Sequence, residues 1–481
     1  MDLQGLVLGS RPSPPSIPVH EAPGARETRE LRSLLRPRSF AGEGVVASPT
    51  RAERWNAPVH AKREGRGRRQ EPSSFGRGVA SALPVVKRPS FALIALILVC
   101  APVALAEPYK VRSPPPLGVA YVGWKGDFRD ADRSLEAFKE VGFRIVSFVP
   151  TYAYVGLNQI DLASGPEATE LAQAIEAAAR AGFTIVVMPH LDPPANQHSF
   201  DPFLSENPSW RSTCQWRGFF DVDPMSTAYR EGIVIGTLRM LKVVLDRTGP
   251  AATPPVRLEL GAELMNSVVY STVRWEQLLS VAKKERHQLG LDRRVLLSHD
   301  FSHHFEILDD FVGRMSAERR QALKRYIRGL DAISLSQYMD LTAAVPKGER
   351  GHRLPSANEV AQALVLHEGA LRKEILGTAL GLRPGEIPPL HLGEFGIGRG
   401  GLRHPSLWAG TATPAQETEL AREIPRGYEG LLLYLTQAEG RTARSAVLWV
   451  TGARYDIFGW NTPTLANPDA ASLIKAALRS P

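Results

Sequence analysis

The chain has 481 residues, 43% of them hydrophobic and 22% charged, a balance that excludes a wholly disordered or fibrous chain and fits one large domain or two medium ones. Its net charge of +8 is unevenly spread. Residues 1–106 carry 16 Lys/Arg against 8 Asp/Glu, whereas the remaining 42 basic and 42 acidic side chains cancel, so the body offers no basic footprint and nucleic acid is excluded as a partner.

Residues 1–86, rich in Pro, Arg, Ser and Gly, show no sustained apolar period and are expected to be disordered, or an extension upstream of a true start near Val79–Val86. Residues 87–106 have the order of a secretory signal peptide. Lys87-Arg88 gives a basic flank, Phe91–Val99 an apolar core, and Ala104-Leu105-Ala106 a small-x-small end. The apolar run is short for a membrane span. Cleavage after Ala106 would leave a domain of 107–481, secreted or periplasmic, with no stable membrane anchor. Its lone thiol, Cys214, can form neither an internal disulfide nor a cysteine-based metal site.

From Leu117 onward apolar runs alternate with amphipathic stretches. Strands are predicted at 118–123, 144–149, 184–189, 256–261, 294–298, 331–337, 389–393 and 445–450. Helices are predicted at 131–142, 166–181, 226–247, 272–289, 316–329, 357–380, 414–438 and 467–478. Eight near-continuously apolar strands, each followed by a helix, predict an α/β fold, a (β/α)8 TIM barrel. The span exceeds the typical ~250 residues of that fold, so long loops are expected at its C-terminal face. A doubly wound open sheet fits less well, because YVGWKGDF after the first strand is no Gly-rich phosphate turn.

Two strand ends carry the chemistry. Glu263 ends the fourth strand in VRLELGAE, and Glu394 ends the seventh in PLHLGEFGIGRGG, where glycines let backbone and ligand approach closely. In a barrel both side chains enter one mouth, as glycoside cleavage requires: one carboxylic acid protonates the leaving oxygen and one carboxylate attacks the anomeric carbon. Aromatics at strand ends, Trp124, Tyr152, Tyr154, Tyr338, Trp449 and Trp460, suit the apolar faces of sugars. Tyr338 is also within reach of Glu394. His190, Asp192, His299 and Asp300 are expected to bind substrate hydroxyls. A zinc reading of these with His303 and His304 is weaker, since HDFSHH matches no ligand spacing. Neither metal nor cofactor is expected. Arg217 and Arg399 are candidates for orienting carboxylates.

These pieces in this order resemble a clan A glycoside hydrolase, most closely glycoside hydrolase family 113, the β-mannanases. The matching stretches are GVAYVGWKGDF at 118–128, SLEAFKEVGFRIVSFVPTYAY at 134–154, SWRSTCQWRGFF at 209–220, LELGAEL at 258–264 and LGEFGIGRGG at 392–401. Together they span most of 117–460. The resemblance implies a retaining glycosidase with Glu263 as acid/base, Glu394 as nucleophile and Trp449 beneath the reacting sugar. It also implies a polysaccharide or oligosaccharide substrate, mannan-like and β-linked, and a monomer. Many clan members have Asn before the acid/base; here Ala262 stands there. The other readings are a non-catalytic carbohydrate-binding barrel and a metal-dependent hydrolase on the same fold.

Overall fold

The computed structural model describes residues 116–156, 159–192, 217, 220, 222–249, 255–302, 312–313, 315–338, 344–345, 353–397, 414–449, 457–458, 465 and 467–479. The leader 1–86, the signal segment 87–106, Cys214, His303, His304, Arg399 and Trp460 lie outside the described residues.

Eight strands form the barrel: β1 (Leu117–Gly123), β2 (Ile145–Gly156), β3 (Thr184–Val187), β4 (Val256–Ala262), β5 (Val295–Ser302), β6 (Ile333–Tyr338), β7 (Leu390–Gly396) and β8 (Ala443–Leu448). Each pairs in parallel with the next, and β8 returns to β1, so the sheet closes. Two short pieces extend it. His190–Asp192 continues β3 and pairs with β2 through Thr151↔His190, and Gln159–Asp161 pairs antiparallel with the end of β2. The chain beyond the predicted strand 184–189 thus continues as strand, because β2 runs long enough to offer it a partner.

The helices are α1 (Ala131–Val141), α2 (Ala168–Arg180), α3 (Gly236–Thr248), α4 (Met265–Tyr270), α5 (Thr272–Gln288), α6 (Ala317–Gly329), α7 (Ala357–Ala370), α8 (Pro414–Gln437) and α9 (Pro468–Arg479). Wider π-helical turns precede α3 at Ala228–Ile235 and follow α7 at Leu371–Ala379. Local sequence sets the helix ends. In α1, Ser134, Leu135, Phe138 and Val141 are buried on one stripe, and Gly142 ends it with a φ of 108°, where a side chain would be strained. In α7, Ser356 and Glu359 form a capping box.

Two apolar zones result. A large core lies between strands and helices, and a small one inside the barrel joins Ala120, Val122, Val149, Val186, Met188, Ala262 and Trp449. Below it the barrel interior is polar. Arg257 Nε donates to Glu259 Oε1 at 2.7 Å, and Ser334 Oγ donates to the same oxygen at 2.6 Å. Among the described residues no helix is long and apolar enough to cross a membrane.

Candidate active site

Each strand carries one extra residue before its glutamate, and on β7 strict alternation without it would turn Glu394 outward. On β4, Glu259 pairs with Ser298 but Ala262 pairs with Asp300, three residues against two. The surplus falls at Leu260-Gly261. Gly261 faces the helices with no room for a side chain, since a Cβ would lie 2.7 Å from both His299 and Trp275. On β7, Leu335↔Leu392 is followed by Ser336↔Glu394, so Gly393 is the bulge. Gly393 and Glu394 therefore both face the barrel interior, with Leu392 and Phe395 in the outer core.

Glu263 is the sole non-glycine residue at positive φ among those described, at 57°. A left-handed backbone costs a non-glycine residue about 1–3 kcal/mol, a strain that concentrates at functional positions. Its N–H donates to the Asp300 carbonyl at 2.9 Å, which fixes the turn.

Glu263 is 3% exposed and Glu394 is wholly buried. Among the described residues Arg217 brings a cation to the chamber. Arg217 Nη1 donates to Glu263 Oε2 and its Nε to Asp192 Oδ1, both at 2.7 Å. Tyr338 donates its hydroxyl proton to Glu394 Oε2. His190 Nε2 stands 2.7 Å from Glu394 Oε1, close but not aligned as a hydrogen bond. The Trp449 ring stacks on His190 with centroids 5.4 Å apart and planes at 20°. Burial pushes both glutamates above the ordinary carboxylate range; for Glu263 the charge of Glu394 adds to this, and Arg217 opposes it for both. Burial, then Arg217, holds His190 far below the usual imidazole range, so it is neutral.

The structure thus gathers Glu263, Glu394, His190, Asp192, Tyr338 and Trp449 around Arg217. Other predicted positions stand elsewhere. His299 faces the helical layer, where the Tyr326 hydroxyl and His299 Nδ1 are 2.8 Å apart and Trp275 meets its ring edge-on. Tyr152 covers Gly165 and lines a cleft of about 300 Å³ with Leu162, Leu171 and Met240. Tyr154 stacks on Phe220 at 4.2 Å. Trp124 sits half-buried in the turn after β1, its backbone N–H donating to Asp127 Oδ2 at 2.8 Å. Asp300 lies wholly buried inside the barrel, where Ser336 donates to its Oδ2. Among the described residues no three His, Cys, Asp or Glu side chains converge as a metal site requires. Sequence reasoning left out Ser336 and the Arg257–Glu259 pair; the polar positions at 257, 259, 298 and 334 in otherwise apolar strands were the available signal.

No family model matches the chain, and comparison with curated proteins gives no significant match. Solved structures do match. The chain is similar to a GH113 β-1,4-mannanase at 15% identity, with 77% of this chain and 100% of that one covered and a TM-score of 0.47. The GH113 β-mannanase AaManA from Alicyclobacillus acidocaldarius, in complex with ManMIm, matches at 15% identity over 76% of this chain and 97% of that one, with a TM-score of 0.46. A Bacteroides ovatus GH5 xyloglucanase in complex with a XXXG heptasaccharide matches at 13% identity over 73% and 68%, with a TM-score of 0.40.

Proposed function

We propose that this chain is a glycoside hydrolase that cleaves a β-linked, mannan-like polysaccharide or oligosaccharide by double displacement. The observation that carries the reading is the pair of buried glutamates at the ends of β4 and β7, brought into one chamber by the bulge at Gly393 and by the left-handed turn at Glu263. Glu394 is the nucleophile. Tyr338 and Arg217 favour its charged form against burial. In the first step Glu394 forms a bond to the anomeric carbon as the glycosidic bond breaks, and Glu263 gives its proton to the departing oxygen. In the second, Glu263 takes a proton from water, the oxygen attacks the same carbon, and Glu394 is released. Trp449, backed by His190, supplies an apolar platform for the sugar ring. The leader at 87–106 supports export, which would place the domain 107–481 beside an extracellular polymer.

A non-catalytic sugar-binding barrel has one observation in its favour: Arg217 donates to Glu263 and favours the charged form of the group needed as the acid. The test is hydrolysis of a panel of β-mannan, glucan and xylan oligosaccharides by the wild type, Glu263→Gln and Glu394→Gln, with the product anomer followed by NMR. Turnover lost in both variants, with a retained anomer first formed by the wild type, supports the mechanism. Sugar binding without turnover in the wild type moves the reading to the binding barrel.

A further inference from the structure

A third carboxyl lies beneath the two glutamates. Asp300 on β5 is wholly buried. Its backbone carbonyl accepts the Glu263 N–H, and its Oδ2 accepts the Ser336 hydroxyl. Its Oδ1 fills the space at the β7 bulge, 2.2 Å from where a Cβ on Gly393 would be, and accepts no hydrogen bond from any described residue. Asp300 therefore touches both turns: it braces Glu263 through its backbone and the residue before Glu394 through its carboxyl.

Charge counting restricts its state. The groups acting on Asp300 are Glu394, Glu259, Glu263 and the Ser336 hydroxyl. Glu259 has its own cation, Arg257. Arg217 already pairs with Asp192 and Glu263, and His190 is neutral. Among the described residues no cation is left to compensate a further buried anion among these carboxylates, and an uncompensated charge costs far more than taking up a proton.

Resting on the glycosidase reading, we propose that Asp300 is a positioning residue held as a neutral carboxylic acid, wedged between β5 and the β7 bulge, which locates Glu394 and leaves that glutamate free to carry the chamber's negative charge. An ionised Asp300 would oppose ionisation of Glu394, the step the nucleophile depends on.

The test compares the full wild-type chain with Asp300→Asn and Asp300→Ala. Infrared difference spectra at neutral pH, wild type minus Asp300→Asn, are expected to show the carbonyl stretch of a protonated acid. Asp300→Asn, which keeps shape and neutrality, is expected to preserve both limbs of the pH–rate profile and kcat to within about threefold, while Asp300→Ala lowers kcat more than about tenfold at unchanged KM. Carboxylate bands in place of the acid band, or an acid limb displaced to lower pH in Asp300→Asn, would overturn the proposal. If Asp300→Ala fails to fold, the spectrum and the Asn variant still decide. Absence of hydrolysis by the wild type is a separate result, which sinks the glycosidase reading rather than the protonation of Asp300.

Discussion

Arg217 holds Glu263 by one nitrogen and Asp192 by another, each at 2.7 Å, while it is itself almost wholly buried. Removing one member of a buried ion pair costs about 3–5 kcal/mol, because the partner is left as an uncompensated charge. Arg217→Met is therefore expected to lower the melting temperature. It should also move the acid limb of activity upward, since Arg217 opposes protonation of Glu394 and Glu263 alike. Thermal unfolding and a pH–rate profile measure the two effects. An unchanged acid limb in a folded variant would show that Arg217 does not tune the pair.

Tyr338 acts on Glu394 more directly. A hydrogen bond to a charged group contributes about 1.5–3 kcal/mol. Tyr338→Phe should lower kcat/KM about ten- to a hundredfold. The acid limb should rise as Glu394 becomes harder to ionise, with the circular dichroism spectrum unchanged. Equal activity in the two proteins would remove Tyr338 from the site.

The two histidines at strand ends should separate cleanly. His299 bonds Tyr326 in the helical layer, so His299→Leu leaves a buried hydroxyl unpartnered and should cost about 1–3 kcal/mol of stability, with kcat preserved. His190 supports Trp449 and touches Glu394, so His190→Ala should reduce activity. Denaturant titration beside steady-state kinetics makes the comparison; a large kcat loss in His299→Leu contradicts it.

The glutamates also set a pH dependence of stability. Their folded-state proton affinities lie above the ordinary value of 4.5, so above that pH the folded chain binds more protons than the unfolded one. Their contribution to stability is thus present at low pH and is lost as pH rises from 4.5 through neutrality. The buried histidines run the other way, losing stability as pH falls below 6.5. The clean measurement is a difference: Glu263→Gln/Glu394→Gln should gain on the wild type in melting temperature between pH 5 and pH 8. A constant difference across that range would mean that neither glutamate is shifted upward.

Most of the fold was legible because it is periodic. Apolar runs such as Thr184–Val187 and stripes such as that of α1 repeat a pattern every residue obeys. The strand ends were legible for the same reason: a barrel puts them at one mouth, whatever its details. What lies beyond them depends on phase. His299 and Asp300 are neighbours with opposite destinations, helical layer and barrel interior, and residue type alone does not say which goes where. The bulges left only a faint trace, Gly261 and Gly393 within apolar strands, which reads equally well as a close backbone approach. Arg217 could be noticed in the sequence, but its hold on two carboxylates 25 and 46 residues away could not.

Gly393 gives a sharp check on the bulge. A methyl group there would overlap the Asp300 carboxyl and approach Ser334 Cβ to 3.0 Å. Gly393→Ala should cost about 1–3 kcal/mol by overpacking. It should also lower activity by displacing Glu394, both read in one preparation by thermal unfolding and kinetics. A variant with wild-type stability and rate would mean the bulge is not held as described.

The two bulges make this barrel tolerant in one way and brittle in another. Glu394 owes its inward direction to the surplus Gly393, and Glu263 owes its own to the left-handed turn that follows the β4 bulge. If the same residues of β7 paired without the bulge, regular alternation would send Phe395 into the barrel and Glu394 among the helices; deletion of Gly393 itself would instead leave Leu335 opposite Leu392 and Ser336 opposite Glu394, with Glu394 still facing inward.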